Sequence, residues 1–590
     1  MRKFVIASVV CAVAMGVIHV VHKTLSVDSS IQTAFPRQAI RGSDFSPRAD
    51  RGIPLSNPVK IITPSKPKSV DDYWKQTDLD LHYVDELLKE KYCNESEKRF
   101  LACVSALIQM AKELRLQIQP NNQVVALTDQ SYLDKSEKEI LAAWKHFHKN
   151  QTSRIPGATV FSIQKAYLNL KKSIRKKDAP RITAIGLNAF ISVDLDPHSY
   201  LMPSKYYKEI ISKADPLSSN LGIVLREQNK TFVIRRVFDG SLAQINGLRR
   251  NDELIEVNGV SLRGLSKTSL QDLLRAEIGA TTQIKVKREK ETMAFTIQRK
   301  ATTLKTVSHG IHPQNNKMGI LTLNKFASGS CDLVERSLVS LKRSGATSVM
   351  LDLRDNSGGQ IDEASCIIGL FTGPKKNIFQ LKYFETAKGY DSYSTNRKRI
   401  FAGQVAVLIN SNSASASEIV AGVLKEMNRA LIVGDRSFGK GSFQEGEGWG
   451  HGSDVIFFKT QGLFYFPSGQ SPQGIGVIPD IQVPQVASSP KESYREFDLY
   501  WSSIHNPEFK SIERYVKANT KTVVQPTNVT TWNQGTYSKC LNDKSNSKSK
   551  QQLMPYQVDF EIDLAQEVLG CLPPMKAKTV TGNVGARTGR

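Results

Sequence analysis

Apolar residues follow helix spacing in one part of the chain and form short strand-like runs in another. Between residues 71 and 189 the spacing predicts helices over Tyr83 to Leu88, Phe100 to Leu116 and Ile140 to Phe147. From about residue 306 to 484 the predicted order is a strand at 318–323, a helix at 332–343, a strand at 348–353, a helix at 362–371 and a strand at 405–409. This alternation is typical of an α/β sheet packed by helices.

A β-rich pattern separates these two regions. Strands are predicted over Leu221 to Leu225 and Phe232 to Val237, with a turn at Asn229 between them. A helix near Leu270 to Ala276 and a strand over 283–287 follow. The Asp196-Pro197-His198-Ser199-Tyr200 segment is predicted to close the preceding helical region with a turn.

Ser415 lies between the apolar run that ends at Ile409 and a helix pattern that starts at Glu418. A serine at such a strand-to-helix turn is exposed at a helix N-terminus, where the amide of Ala416 can stabilise an oxyanion. A serine hydroxyl also needs a base, and no histidine lies between 312 and 451. Lys440, flanked by two glycines, is therefore the candidate base, provided that burial lowers its pKa to roughly 7 or 8.

Three segments, at 351–359, 413–418 and 434–444, together resemble the C-terminal processing (tail-specific) serine proteases. The resemblance extends from about 196 to 484 and implies a crotonase/ClpP-like spiral core. It implies that Ser415 is the nucleophile, Lys440 the base and Gln444 the residue that orients the lysine. It also places a turn glycine in the oxyanion hole, and leaves the choice between Gly358 and Gly359 open.

The β-rich segment resembles a PDZ domain. This resemblance implies that a peptide adds as a strand, and that the loop containing Leu221, Gly222 and Ile223 receives its terminal carboxylate. A packing module that has lost peptide binding is the alternative. The helical segment resembles the N-terminal region of the same proteases, which can shape a substrate tunnel or mediate assembly, and a purely supporting bundle remains open.

Other chemistries fit the sequence less well. Residues 434–440 match the start of a phosphate-binding loop, but Gly441 stands where a Ser or Thr should hold magnesium, and a strand pattern follows instead of a helix. The His146-Phe147-His148 segment is expected to lie on a polar helix face, and no metal or organic cofactor is predicted. A catalytically inactive PDZ scaffold or adaptor and a crotonase-like enzyme acting on thioesters remain as alternative functions.

The N-terminus and the cysteines indicate export. Residues 4–21 form an apolar run after Met1-Arg2-Lys3, as in a signal peptide, with an uncleaved membrane anchor as the alternative. Six cysteines besides Cys11 form local pairs in the sequence, and an exported chain favours disulfides over reduced thiols. The local pairs are Cys93 with Cys103, Cys331 with Cys366, and Cys540 with Cys571, and the sequence leaves the other pairings of these cysteines open. A periplasmic or cell-envelope location is expected.

The chain has 80 basic and 56 acidic residues, which gives a net charge of +24. The basic residues form no nucleic-acid motif, so anionic envelope surfaces or acidic substrates are the expected partners and nucleic acid is not. Proteins with unstructured C-termini are the expected partners, and an envelope adaptor protein is a further candidate. The sequence does not indicate an oligomeric state.

The sequence thus predicts a multidomain α+β protein. The domains are a signal or anchor (1–24), a flexible linker (25–70), a helical N-terminal domain (71–204), a PDZ domain (205–303), a serine protease core (304–486) and a C-terminal extension with a disordered tail (487–590). The extension carries no motif that predicts its role.

Overall fold

The computed structural model describes residues 70–482, except 120, 128–160, 215–216, 219, 229–230, 266–269, 271–272, 275, 277, 386 and 450–453, together with the helical residues Ile562, Ala565, Gln566 and Leu569. The predicted signal, linker, 140–147 helix, Asn229 turn, Cys540–Cys571 pair and tail lie outside the described residues. All described residues belong to one compact unit, 66–590. None of the described helices is both long and apolar enough to span a bilayer.

The N-terminal region is helical, as its apolar spacing predicts. Its helices are α1 (Val70–Trp74), α2 (His82–Leu87), α3 (Glu90–Cys93), α4 (Glu97–Glu113), α5 (Ile163–Lys171), α6 (Ala179–Asp194) and α7 (Ser204–Tyr206), followed by a π-helical turn (Tyr207–Ile211). Short strands β1 (Leu116–Ile118), β2 (Val124–Ala126) and β3 (Tyr200–Pro203) accompany them. Ser96 caps α4 by accepting a hydrogen bond from the Arg99 amide at 3.1 Å. The Cys93–Cys103 disulfide joins α3 to α4.

The PDZ segment contains strands β4 (Leu217–Ser218), β5 (Ile223–Gln228), β6 (Thr231–Val237), β7 (Glu253–Val257), β8 (Val260–Ser261), β9 (Thr281–Arg288), β10 (Glu291–Gln298) and β11 (Thr302–Thr303), with helix α8 (Leu242–Ile245) after β6. Its main sheet has the order β10-β9-β7-β6-β5. Alternate residues of β9 are buried, as expected when one face of a strand covers a core. Strand β5 lies at the edge of this sheet.

The core strands are β12 (Val307–His312), β13 (Asn315–Leu323), β14 (Ser348–Asp352), β15 (Lys375–Tyr383), β16 (Tyr390–Thr395), β17 (Gln404–Ile409), β18 (Leu431–Gly434), β19 (Ser442–Trp449), β20 (Val455–Tyr465) and β21 (Ile481–Gln482). Helices α9 (Ser330–Arg343), α10 (Ile361–Thr372) and α11 (Ala416–Glu426) alternate with them. The Cys331–Cys366 disulfide joins α9 to α10. The predicted strands and helices of the core are all present, with their ends shifted by a few residues.

The main core sheet has the order β12-β13-β14-β17-β18-β21, and all neighbours after β12 are parallel. Every residue of β14 is buried, because both faces of a parallel sheet are normally covered. Helices α9 to α11 pack on one face. Ala565 and Leu569 of the C-terminal extension pack on the other face, beside Met350 and Leu408. The extension, for which the sequence predicts no role, thus helps to close the core.

A second sheet, β16-β15-β20-β19, carries part of the candidate site. Strand β3 of the N-terminal region pairs with β20 in antiparallel register, with Tyr200 opposite Phe458. The residues just before β3 are therefore held against the core, close to Thr460 on β20.

Candidate active site

Ser415 forms a strained turn between β17 and α11. Its φ is 57° and its ψ is −116°, a left-handed backbone conformation that residues other than glycine rarely adopt. Helix α11 begins at the next residue, Ala416, so the Ala416 N–H has no acceptor within the helix. Strained strand-to-helix turns of this kind expose a nucleophilic serine in other hydrolases.

The buried Glu418 carboxylate joins this turn to the lysine loop. Its Oε2 accepts the backbone N–H groups of Ser415 at 2.8 Å and Lys440 at 2.9 Å. Its Oε1 accepts the Ser437 hydroxyl at 2.6 Å and the Gly439 N–H at 2.7 Å. Burial raises the pKa of Glu418, and these four hydrogen bonds to the ionised form oppose that increase.

The Lys440 amine is hydrogen-bonded to two acceptors. Its Nζ donates to Gln444 Oε1 at 2.8 Å and to the Ser442 carbonyl at 3.0 Å. Desolvation lowers the pKa of Lys440 from 10.5 to about 8, although the negative charges of Glu418 and Asp196 act in the opposite direction. Within the described residues no hydrogen bond connects Ser415 Oγ to Lys440 Nζ, an arrangement that is common in enzymes without bound substrate.

The two hydrogen bonds of Lys440 are as many as a neutral amine can donate. A neutral amine has two N–H groups and one lone pair. The two observed acceptors match the two N–H groups, so the lone pair remains to accept a proton. A lysine with a pKa of about 8 is partly neutral near pH 7, so the arrangement suits a general base.

The glycine turn lies directly against the serine. A Cβ placed on Gly358 would be 2.8 Å from Ser415 Cβ and 2.9 Å from Ala416 N, so only glycine fits there. The Gly358 N–H donates to Asn356 Oδ1 at 2.9 Å, whereas the Gly359 N–H has no acceptor within the described residues. A Cβ on Gly359 would instead be 2.1 Å from the Phe326 carbonyl oxygen. The structure thus places Gly358 against Ser415 and Gly359 against Phe326, and distinguishes the amides of the two glycines.

Residues that the motifs do not indicate complete the surroundings of Lys440. Gln444 Nε2 donates to Thr460 Oγ1 at 3.1 Å, and Thr460 Oγ1 donates to Asp196 Oδ1 at 2.8 Å. The Ser199 hydroxyl donates to Asp196 Oδ2 at 2.6 Å and accepts the Thr460 N–H at 3.0 Å. The sequence signal for Asp196 is only that of a turn; its proximity to Thr460 depends on the pairing of β3 with β20.

His198 is the histidine of that turn. Burial lowers its pKa to about 4, and the positive charge of Lys440 adds to the decrease. Its imidazole is therefore neutral at physiological pH. Among the described residues no group of three or more His, Cys, Asp or Glu side chains is arranged to hold a metal ion.

The PDZ segment contacts the glycine turn directly. Arg235 on β6 lies 3.5 Å from Asp355 Oδ1, and Arg236 donates to the Arg354 carbonyl oxygen. The predicted peptide-binding loop lies at the start of the edge strand β5. Leu221 and Gly222 are buried and Ile223 is partly buried, and Gly222 has a φ of 73° with its Cα against Ser241.

Comparisons with known proteins identify the two segments. Residues 317–483 match Peptidase family S41, and residues 209–287 match the PDZ domain. A probable CtpA-like serine protease of Staphylococcus aureus is 25% identical over 327 residues, which are 55% of this chain and 65% of that protein. A probable CtpA-like serine protease of Staphylococcus epidermidis is 25% identical over 335 residues, 57% of this chain and 66% of that protein. The chain therefore spans slightly less than two thirds of the length of these relatives.

Two solved structures are also similar. The photosystem II D1 C-terminal processing protease has a TM-score of 0.37 and 22% identity, over 60% of this chain and 95% of that chain. Mature CPAF has a TM-score of 0.34 and 13% identity, over 72% of this chain and 99% of that chain. The resemblance to C-terminal processing serine proteases with a PDZ domain, read from the sequence, is confirmed by the family matches, as is the multidomain α+β fold class.

Proposed function

We propose that this chain, a PDZ-containing relative of the C-terminal processing serine proteases of family S41, is a serine endopeptidase with Ser415 as nucleophile and Lys440 as general base. The observation that supports this most directly is the state of Lys440. Its amine has a pKa of about 8 and two fixed N–H acceptors, and its loop is attached to the Ser415 turn through Glu418.

In the proposed reaction Ser415 Oγ attacks the carbonyl carbon of the scissile peptide bond while Lys440 accepts the hydroxyl proton. The tetrahedral intermediate collapses, and the Lys440 ammonium returns that proton to the leaving amine. This breaks the C–N bond and leaves an acyl ester on Ser415. A water molecule, deprotonated by Lys440, then hydrolyses the ester and regenerates the serine. Gln444 keeps the amine oriented in both half-reactions.

The oxyanion is assigned to two backbone amides. The Ala416 N–H is the first amide of α11, where the helix dipole also favours negative charge. Of the two turn glycines, only Gly359 has an amide without an acceptor among the described residues, and we assign it as the second donor. Gly358, which has no Cβ, allows the glycine turn to lie directly against Ser415 and the Ala416 amide. Removing one such donor typically costs about 100-fold to 1,000-fold in kcat.

The PDZ segment is proposed to recruit substrates with unstructured C-termini. Strand β5 is an edge strand, which offers unpaired backbone groups to an incoming peptide. The loop at 221–223 precedes this strand and would receive the terminal carboxylate. The test is binding of one peptide, with a free or an amidated C-terminus, to the full-length Ser415→Ala protein. Equal affinity for both forms would exclude carboxylate recognition and leave the catalytic proposal intact.

Catalysis is tested by incubating the wild type and Ser415→Ala with an intrinsically disordered protein that has a free C-terminus. Cleavage by the wild type alone is expected, and mass spectrometry of the fragments locates the cleaved bonds. Equal turnover by both proteins excludes Ser415 as the nucleophile. No turnover by either, with peptide binding retained, would favour the inactive scaffold.

An exported location, periplasmic or in the cell envelope, belongs to the same proposal. The two disulfides support it, because such bonds persist in oxidising compartments. An N-terminal signal or anchor and an envelope adaptor remain part of this proposal. Fractionation of cells that produce the full chain, with a thiol-reactive probe that does not cross membranes, would separate export from cytosolic retention.

A further inference from the structure

Asp196 belongs to none of the motifs used above, yet it terminates a continuous chain of hydrogen bonds that starts at Lys440. The chain runs from Lys440 Nζ to Gln444 Oε1 at 2.8 Å, from Gln444 Nε2 to Thr460 Oγ1 at 3.1 Å, and from Thr460 Oγ1 to Asp196 Oδ1 at 2.8 Å. It connects the proposed base to the N-terminal region, through a residue distant in the sequence.

We propose that Asp196 is a positioning residue, an inference that rests on the proposed function. Asp196 sets the donor-to-acceptor direction of this hydrogen-bond chain and thereby holds the oxygen of the Gln444 amide towards Lys440. The donors and acceptors of the chain fix its direction. An ionised carboxylate only accepts, so Thr460 must give its single hydroxyl proton to Asp196. The Thr460 oxygen must then accept from Gln444, which requires Nε2 to face Thr460 and Oε1 to face Lys440.

Without Asp196 the donor-to-acceptor direction of the hydrogen bond between Thr460 and Gln444 is not fixed. Thr460 could donate its proton to Gln444 Oε1, because a hydroxyl both donates and accepts. The amide would then turn its NH₂ group towards Lys440, whose ammonium form has no lone pair to accept it. The Ser442 hydroxyl, whose Oγ lies 3.4 Å from Gln444 Nε2, can also either donate or accept, so it does not fix the orientation of the Gln444 amide.

The surroundings show that Asp196 is itself held in place. Its carboxylate accepts the N–H groups of His198 at 2.8 Å and Ser199 at 3.0 Å, and the Ser199 hydroxyl at 2.6 Å. Ser199 also accepts the Thr460 N–H, which fixes the turn to β20. All of these contacts present donors to Asp196, and the β3–β20 pairing keeps the turn in register.

Asp196 also acts on Lys440 through its charge. The charged or titratable groups that influence each other around Lys440 are Glu418 of α11 and Asp196 and His198 of the turn. Both carboxylates favour the ammonium form. Removing the charge of Asp196 therefore lowers the pKa of Lys440 further below about 8, in addition to the loss of orientation.

The test compares four full-length variants by the pH dependence of kcat and kcat/KM on one disordered substrate. Asp196→Asn is expected to lower kcat by about tenfold to 100-fold, as small misplacements of catalytic groups do, and to move the acidic limb to lower pH. Thr460→Val should lower kcat similarly without that move, because it keeps the charge. Thr460→Ser, which retains the hydroxyl, should behave nearly as the wild type.

Asp194→Asn is the matched control, since Asp194 lies on the same segment but pairs with Arg99 at 2.8 Å. Thermal unfolding of each variant corrects the rates for folded protein. The Asp196→Asn/Thr460→Val double variant should cost no more than the worse single change, because both interrupt one chain. Independent, additive losses would overturn the inference, as would equal rates for Asp196→Asn and Asp194→Asn.

The outcomes also separate this inference from the proposed function. If Ser415→Ala cleaves as fast as the wild type, the proposed protease chemistry fails. If cleavage requires Ser415 but Asp196→Asn retains the wild-type kcat, only the positioning role fails. A merely structural role for Asp196 would lower the folded fraction and leave kcat per folded molecule at the wild-type value, which also contradicts the inference.

Discussion

Ser415 and Lys440 donate their backbone N–H groups to a single oxygen atom, Oε2 of Glu418. The two amide nitrogens therefore cannot separate without breaking a hydrogen bond to a buried carboxylate. Leaving such a group unsatisfied costs several kcal/mol, so the nucleophile turn and the base loop are expected to move as one unit. A rearrangement that aligns the two side chains on substrate binding can thus be confined to side-chain rotations.

The first prediction concerns pH. Burial lowers the pKa of Lys440 to about 8, so its amine is neutral above that pH and charged below it. Since only the neutral amine accepts the serine proton, kcat/KM should rise with pH and level off above about 8. Initial cleavage rates in a series of buffers at constant ionic strength measure this. An acidic limb at the ordinary histidine pKa, about 6.5, would contradict Lys440 as the base.

Glu418→Gln should uncouple the two catalytic segments. Each carboxylate oxygen of Glu418 accepts at least one backbone N–H group, so the NH₂ group of glutamine would face a backbone donor in either orientation. We expect the free energy of unfolding to fall by about 1–3 kcal/mol and cleavage to fall more than the folded fraction does. Denaturant unfolding and kcat measure the two effects.

Glu426→Gln is the control for that change, because Glu426 lies at the end of the same helix and its carboxylate accepts hydrogen bonds from the backbone N–H and the hydroxyl of Ser468. It should leave kcat near the wild-type value. If Glu418→Gln kept full activity per folded molecule, the proposed coupling would be wrong.

Gly358→Ala should abolish cleavage while the protein still folds. The new Cβ would lie 2.8 Å from Ser415 Cβ and from the Ala414 carbonyl oxygen, so the glycine turn, with the proposed oxyanion donor Gly359, would have to shift away from Ser415. Gly329→Ala is the matched control, since Gly329 has a φ of 85° but no atom within 4 Å of a new Cβ. Both variants carry backbone strain of about 1–3 kcal/mol, and only Gly358→Ala should lose kcat. Similar activity losses in both would show that strain alone is responsible.

Loss of the Cys331–Cys366 disulfide should destabilise the core without changing its chemistry. The bond closes a loop with a sequence separation of 35, for which the loss is about 2–4 kcal/mol. The separation of Cys93 and Cys103 is only 10, so the corresponding loss should be smaller. Unfolding of the two double-alanine variants with and without reductant measures both. A cleavage defect in the folded Cys331→Ala/Cys366→Ala protein would be unexpected.

The sequence alone determined the general architecture and the candidate pair Ser415 and Lys440. Helix and strand periods are local properties, and the elements of the core lie where the apolar spacing places them. The serine turn, the lysine loop and the glycine turn each occupy a short segment, so their residue types were sufficient to identify Ser415, Lys440 and Gln444 as candidates. The hydrogen bond between Lys440 and Gln444 agrees with the role that the resemblance implied.

Only the tertiary structure decided what surrounds that pair. Asp196 precedes Thr460 by 264 residues, and nothing local in either segment indicates that the register of β3 on β20 brings them together. In the sequence Glu418 is only a helix-start residue. Its hydrogen bonds with Ser437, Gly439 and Lys440 exist because α11 and the lysine loop meet in the folded core. The amides of Gly358 and Gly359 differ because Asn356 folds back onto one of them. Such contacts join distant segments, whereas sequence patterns report mainly on neighbours along the chain.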